Sequence, residues 1–232
     1  MDKQVNIVSA REAIFQSIRS HLAASVPHDL KESELHHGNS LPKVMPSVSD
    51  LPVVELFKES LEAVDGHCIL VHDEVDVIEA LKQIITRLQS TSLRARRIAI
   101  SDATEIPAIL NGTELEFEKI AVTPSASEVF SFDIGISRVQ AAIAETGTLL
   151  LDSSRERHRL VSLVPPVHIA LVDASQIVQT LGEALALLRE PDQVSPIVTL
   201  VTGPSRTADI ELTLAIGVHG PQELYVVLNQ GK

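Results

Sequence analysis

One cysteine, one tyrosine and no tryptophan occur among 232 residues. The single thiol, Cys68, rules out an internal disulfide and cannot supply the several thiolates that hold an iron-sulfur cluster. It sits in the apolar run His67-Cys68-Ile69-Leu70-Val71, where a free thiol behaves as a small buried hydrophobe. Basic side chains are scarce as well: 19 Lys and Arg stand against 31 Asp and Glu, a formal net charge of -12. That balance opposes nucleic-acid binding, because affinity for a phosphate backbone comes largely from neutralising it with Lys and Arg. An anionic membrane surface is disfavoured for the same reason. No segment approaches the roughly 20 apolar residues of a membrane span. The start, Met1-Asp2-Lys3-Gln4, lacks the apolar core of a secretory signal. The expectation is a soluble, cytoplasmic protein.

Two nucleotide cradles are missing too. The chain has neither a Gly-x-Gly-x-x-Gly turn nor a Gly-x-x-x-x-Gly-Lys-Ser/Thr loop. It also lacks the His-x-x-x-His and Cys-x-x-Cys spacings that would suggest a metal site. A chain without a flavin, nicotinamide or cluster motif is poorly equipped to take two electrons from a substrate alone, so no cofactor is expected in it.

What is present is an alternation of helical and strand patterns. Ser9-Ala10-Arg11-Glu12 has capping-box spacing, and Ile14, Ile18 and Leu22 follow on one helical face, predicting a helix from about Ala10 to Ala24. The polar stretch His28 to Ser49, with Gly38, Pro42 and Pro46, reads as a linker. Residues 1–49 are therefore expected to form a helix and arm, and residues 50–232 one layered α/β domain with a mainly parallel sheet. Asp50 caps a predicted helix that carries Val53, Val54, Phe57, Leu61 and Val64 inward and ends at Gly66. Ile78, Leu81, Ile85 and Leu88 mark a second helix. Strands are predicted at His67 to Val71, Arg97 to Ser101, Lys119 to Thr123, Asp133 to Ile136, Thr148 to Leu151, His168 to Val172, Ile197 to Val201 and Leu224 to Leu228. Crossover helices are expected at Ala174 to Leu188 and Thr207 to Ile216.

Two Gly-containing turns carry the functional signal. In Val201-Thr202-Gly203-Pro204-Ser205-Arg206-Thr207-Ala208-Asp209 a strand meets a tight turn and a predicted helix start. Ser205 or Thr207 can cap that helix, whose unpaired N–H groups attract anions, and Arg206 adds a planar fork suited to carboxylate or phosphate. Asp209 either lines the site or simply complements the helix dipole. In Ala144-Glu145-Thr146-Gly147-Thr148 a helical pattern meets a strand. An acid at a helix C-terminus opposes the dipole, so Glu145 needs a partner or a use. It either forms a salt bridge with the nearby cluster Arg155-Glu156-Arg157-His158-Arg159 or serves as general base, acceptor or nucleophile. His219 and Gly220 lie in a constrained loop before the last strand, and His219 is the histidine expected in a pocket; His168 is expected to be a buried strand histidine. Ligands of open α/β sheets bind beyond the carboxyl ends of strands, where both turns are expected.

Ala142 to Leu151, Pro166 to Val172 and Thr202 to Val227 together resemble the lactate utilization protein C family (LutC/YkgG), whose core is the LUD domain. Ala10 to Leu22 resembles that family's N-terminal helix, and the correspondence is weakest in the linker and in Arg94 to Ser131. The resemblance implies a three-layer α/β/α domain of the NagB/RpiA/CoA-transferase-like kind. It also implies participation in L-lactate oxidation to pyruvate beside two iron-sulfur proteins, the A- and B-type subunits, which would carry the clusters. The expected role is that of a non-redox subunit binding a small carboxylate through Glu145, Thr146, Gly147, Thr148, Arg155, Arg157, Gly203, Ser205, Arg206, Thr207, Asp209, His219 and Gly220. An acyl- or CoA-transferase with Glu145 as nucleophile and a purely structural adaptor are the alternatives.

Overall fold

A computed structural model describes residues 7–24, 51–156, 159–188, 197–208, 214–216 and 220–231. Its contacts divide the chain into Met1–Ser47 and Val48–Lys232. In the first unit, helix α1 spans Ile7–Ala24. It begins before Ser9, so that residue lies in the first turn rather than at the predicted cap. Ile14, Phe15 and Ile18 are exposed. The predicted linker and the capping residue Asp50 lie outside the described residues.

The second unit opens with helix α2, Val53–Ala63, whose N-cap position is Pro52. Phe57 and Leu61 are fully buried, each worth about 1.5–3 kcal/mol of apolar burial, whereas Val53 stays exposed. Strand β1 (His67–Val71) and helix α3 (Glu74–Ser90) follow. Asp73 caps α3 by accepting from the Asp76 N–H at 2.9 Å. Apolar positions at helical spacing put Val77, Leu81, Ile84, Ile85 and Leu88 inside. Then come β2 (Arg97–Ile100), α4 (Ile106–Gly112), β3 (Lys119–Val122), β4 (Ile134–Arg138), β5 (Ala141–Ile143), β6 (Thr148–Asp152), α5 (Arg159–Leu163), β7 (Val167–Asp173), β8 (Ile177–Val178), α6 (Leu181–Ala186), β9 (Val198–Thr202), β10 (Arg206–Ala208), β11 (Leu214–Ile216) and β12 (Glu223–Asn229).

Six strands form one sheet in the order β1-β12-β7-β4-β2-β3, and every neighbouring pair is parallel. Its central strands β7 and β12 are buried on both faces, as their continuous Val, Ile and Leu runs demand. Helices α3 and α4 cover one face. Helix α2 and a second sheet, ordered β8-β5-β6-β9, build the core on the other. The α/β class and the mainly parallel sheet match the expectation; the second sheet was not foreseen.

Three segments depart from their predicted structure, all in or around that addition. Ala141–Ile143 is a strand paired antiparallel with β6, not the end of a helix. Its alanines favour helix locally, but here tertiary pairing overrides propensity and lets small side chains pack tightly. Ala174 to Leu188 is a 3-10 turn, the short strand β8 and a six-residue helix. Thr207 to Ile216 is not a crossover helix: Arg206–Ala208 pairs antiparallel with Leu214–Ile216. A strand signal was present there, because Ile210, Leu212, Leu214 and Ile216 alternate with period two.

Candidate functional site

Antiparallel pairing of β6 with β9 sets Thr148 opposite Thr202, which brings the two Gly-containing turns to the same end of the small sheet. Both turns use a left-handed glycine, with φ of 62° at Gly147 and 73° at Gly203. Both also rest on α2 or the residue just after it. A Cβ on Gly147 would stand 2.3 Å from the Leu61 nitrogen, and one on Gly203 would stand 2.4 Å from the Val64 carbonyl oxygen. A chain of hydroxyls joins the turns, from Thr146 Oγ1 to Thr148 Oγ1 and on to Thr202 Oγ1, each step 2.7 Å.

Beyond Gly203 the chain crosses to the loop before β12. Ser205 N–H donates to the Pro221 carbonyl at 2.8 Å, and Gly220 lies close enough to Ser205 that an added Cβ would be 3.0 Å from its Cβ. Beside these contacts lies a pocket of about 300 Å³ whose lining includes Gly203, Ser205, Arg206, Gly220, Ser162 and His168, with apolar Leu200 and Leu224. Arg206 also faces an adjoining pocket of about 440 Å³ that contains Glu62, Asp65 and His67. Its Nη2 donates to Asp65 Oδ2, the carboxylate of a residue held at φ of 63° in the turn after α2.

Four predicted site residues thus meet: Gly203, Ser205, Arg206 and Gly220. The expected mechanism of anion attraction does not, because no helix follows Ser205; the turn runs directly into strand β10. The side chain of Thr207, and Arg157, Asp209 and His219, lie outside what the structure describes. Arg155 is exposed, and its N–H donates to the Asp152 carbonyl at 3.1 Å. Its neighbour Glu156 is buried and accepts from the Arg138 N–H at 3.0 Å; burial pushes this carboxyl above the usual range.

Glu145 stands apart from the pocket. It occupies the β5–β6 hairpin turn rather than a helix C-terminus, and its Oε1 accepts from the Leu181 N–H at 2.9 Å, at the first residue of α6. Its partner among the described residues is a helix N-terminus, where a carboxylate is favourable. Thr146, Gly147 and Thr148 belong to the same hairpin, and Thr202 is the member of their hydroxyl chain that reaches the pocket wall.

The pocket also lies at the end of the sheet opposite to expectation. His168 and Leu224 are the second residues of β7 and β12, so the pocket adjoins the amino ends of those strands. At their carboxyl ends a smaller hollow of about 110 Å³ contains Arg138, Asp173, Glu105 and Asn229. Arg138 Nη2 donates to Asp173 Oδ2, and its Nε lies 3.3 Å from Glu105 Oε1. Sequence reading passed over Arg138, although a charge closing the run Ile134-Gly135-Ile136-Ser137 was the available signal.

His168 is fully buried, as predicted, with Nε2 2.9 Å from Ser137 Oγ. Burial drives its pKa down to about 3, so the ring is neutral. The Cys68 thiol is pushed up to about 12, chiefly by burial, which leaves it protonated at neutral pH and neither a ready ligand nor a nucleophile. No group of three His, Cys, Asp or Glu side chains able to hold a metal occurs among the described residues. Nor does any helix among them have the length and apolarity to cross a membrane.

Known proteins agree with this architecture. A crystal structure of a DUF162 family protein from Deinococcus radiodurans superposes with a TM-score of 0.56 at 22% identity, over 77% of this chain and 96% of that one. An uncharacterized protein of Neisseria meningitidis serogroup B is 37% identical over 150 residues, which are 64% of this chain and 61% of the relative. Lactate utilization protein C of Bacillus licheniformis is 36% identical over 123 residues, 50% of this chain and 51% of the relative. The protein of that name from Bacillus subtilis is 27% identical over 180 residues, 70% of this chain and 75% of the relative. The matched region thus spans about half to three-quarters of these relatives. The family model of the LUD domain matches residues 54–229, from within α2 to the last residue of β12, and the chain belongs to the LUD domain family.

Proposed function

We propose that this chain serves lactate utilization in the cytoplasm as a subunit without a redox cofactor of its own, and that it binds a small carboxylate. Family membership and the relatives named lactate utilization protein C support the process. The observation that carries the ligand is the convergence of Gly203, Ser205, Arg206 and Gly220 on one pocket of about 300 Å³. A lining that contains an arginine and a serine together with apolar Leu200 and Leu224 suits a carboxylate on a short apolar stem. Electrons would pass to iron-sulfur partners of the A and B type, consistent with a chain that has one cysteine.

Isothermal titration with L-lactate and pyruvate tests the ligand. Wild type binds, and Arg206→Ala loses at least tenfold in affinity; equal binding by the variant removes Arg206 from the site. Co-purification with the iron-sulfur proteins, followed by lactate oxidation with and without this chain, tests the assembly. Glu145 as an acyl nucleophile gains no support from the geometry, since its carboxylate is engaged with the start of α6.

A further inference from the structure

His168 has one nitrogen too many for a structural histidine. Val167, Ile169 and Leu171 of β7 point into the core beneath α3 and α4, whereas Ala170 and Val172 face α2 and the small sheet. Alternation along the strand puts His168 on this second face, where it lines the pocket that Arg206 also lines. Its Nε2 meets Ser137 Oγ at 2.9 Å, but Nδ1 is sealed from solvent and has no hydrogen-bond partner among the described residues. An orphaned polar atom of this kind costs about 1–3 kcal/mol, which a phenylalanine of similar shape would avoid.

The orphan has a definite character. Burial keeps the imidazole neutral, so one ring nitrogen carries a proton and the other does not. When the Ser137 hydroxyl donates to Nε2, both of those atoms are satisfied and the proton resides on Nδ1. The opposite tautomer leaves the Ser137 hydrogen and the Nδ1 lone pair both unmet. The first arrangement is therefore preferred, and it leaves an unused, buried N–H donor on a residue that lines the pocket.

We propose that His168 is a ligand-binding residue whose Nδ1–H donates to the 2-oxygen of a small 2-oxo or 2-hydroxy acid, with the ligand's carboxylate on Arg206. This rests on the reading of the pocket as a carboxylate site and adds the feature that selects among carboxylates. Arg206 meets the full charge; His168, uncharged and shielded from water, meets an oxygen without one. A site built to hydrogen-bond an oxygen rejects an analogue that lacks it, because the donor is then left buried and unpaired. Propionate is accordingly a poor ligand beside pyruvate or L-lactate.

Nitrogen-15 NMR of the imidazoles in the full chain, titrated with pyruvate, L-lactate and propionate, tests this. The His168 resonances are identified by their loss in the double variant Ser137→Ala/His168→Phe. The expected result is an Nδ1–H tautomer in the free protein, a shift at Nδ1 on adding pyruvate or lactate, and at least tenfold weaker binding of propionate. The double variant, in which both polar groups become apolar, melts no lower than wild type and loses at least tenfold in pyruvate affinity. An Nε2–H tautomer, or pyruvate binding by the double variant equal to wild type, overturns the proposal. Carboxylate binding that depends on Arg206 without a shift at His168 removes this inference and leaves the carboxylate site standing. If no carboxylate binds at all, both fall.

Discussion

Arg206 and Asp65, separated by 141 positions in sequence, are joined by a hydrogen-bonded ion pair at the border of two adjoining pockets. Asp65 is 72% exposed at its side chain, and Arg206 36%. A pair so open to water is worth about 0–1 kcal/mol, a small barrier to exchanging one carboxylate for another. Asp65 thus occupies the guanidinium in the free chain much as a ligand carboxylate would. Asp65→Asn is expected to tighten pyruvate binding about two- to fivefold in calorimetric titration. The combination with Arg206→Ala should behave as Arg206→Ala alone. Unchanged or weaker binding by Asp65→Asn would mean that the pair is a latch and not a competitor.

Gly147→Ala and Gly203→Ala should each destabilise the second unit. Both need a left-handed backbone, and both would drive a Cβ into the backbone at or just after the end of α2. Strain and displacement together cost about 1–3 kcal/mol, or several degrees in the melting temperature of a domain of this size. Gly182→Ala in α6 is the control, because the nearest atom to its added Cβ lies 3.8 Å away. That variant should melt at or slightly above the wild-type temperature.

Glu145→Gln should leave carboxylate binding unaltered and cost no more than about 1 kcal/mol of stability, the worth of a carboxylate at a helix start. Titration calorimetry and thermal melts check both halves. A loss of ligand affinity comparable to that of Arg206→Ala would return Glu145 to the site.

The pH dependence of stability should carry the mark of His168. Its folded pKa of about 3 lies below the usual 6.5, so the unfolded chain takes up this proton first as the medium acidifies. Its contribution is present above 6.5 and is lost as pH falls toward 3, at about 1.4 kcal/mol per pH unit at most. Denaturant unfolding of Ser137→Ala/His168→Phe should show a shallower loss over that window than wild type. Glu156 acts with the opposite sign. Its raised carboxyl pKa makes stability fall as pH rises above 4.5, and Glu156→Gln should flatten that limb.

The parallel sheet was legible because β1, β7 and β12 are rich in Val, Ile and Leu, and strands of that composition, buried as β7 and β12 are, leave little choice of structure. The small sheet was not, because its strands β5 and β8 hold three and two residues and owe their form to neighbours distant in sequence. Thr180 and Glu183 form a capping box at the start of α6, a signal that the expectation of a helix from Ala174 passed over. In the pocket, Gly203 and Arg206 were readable as types suited to an anion. Asp65 was not, since nothing local to α2 says that its last turn will meet β9. His168 was recognised as buried, but a missing hydrogen-bond partner cannot be seen until the fold has placed every neighbour.

Helix α2 has one mechanical consequence. The β5–β6 hairpin and the turn after β9 lean on positions three residues apart, Leu61 in the last turn and Val64 just past it, and glycine contacts leave no slack at either. A guest that widens the pocket from the Gly203 side therefore pushes against a rod, not a flap, and tilting that rod would carry the neighbouring hairpin with it. Entry into this site would register as a concerted rigid shift of both turns.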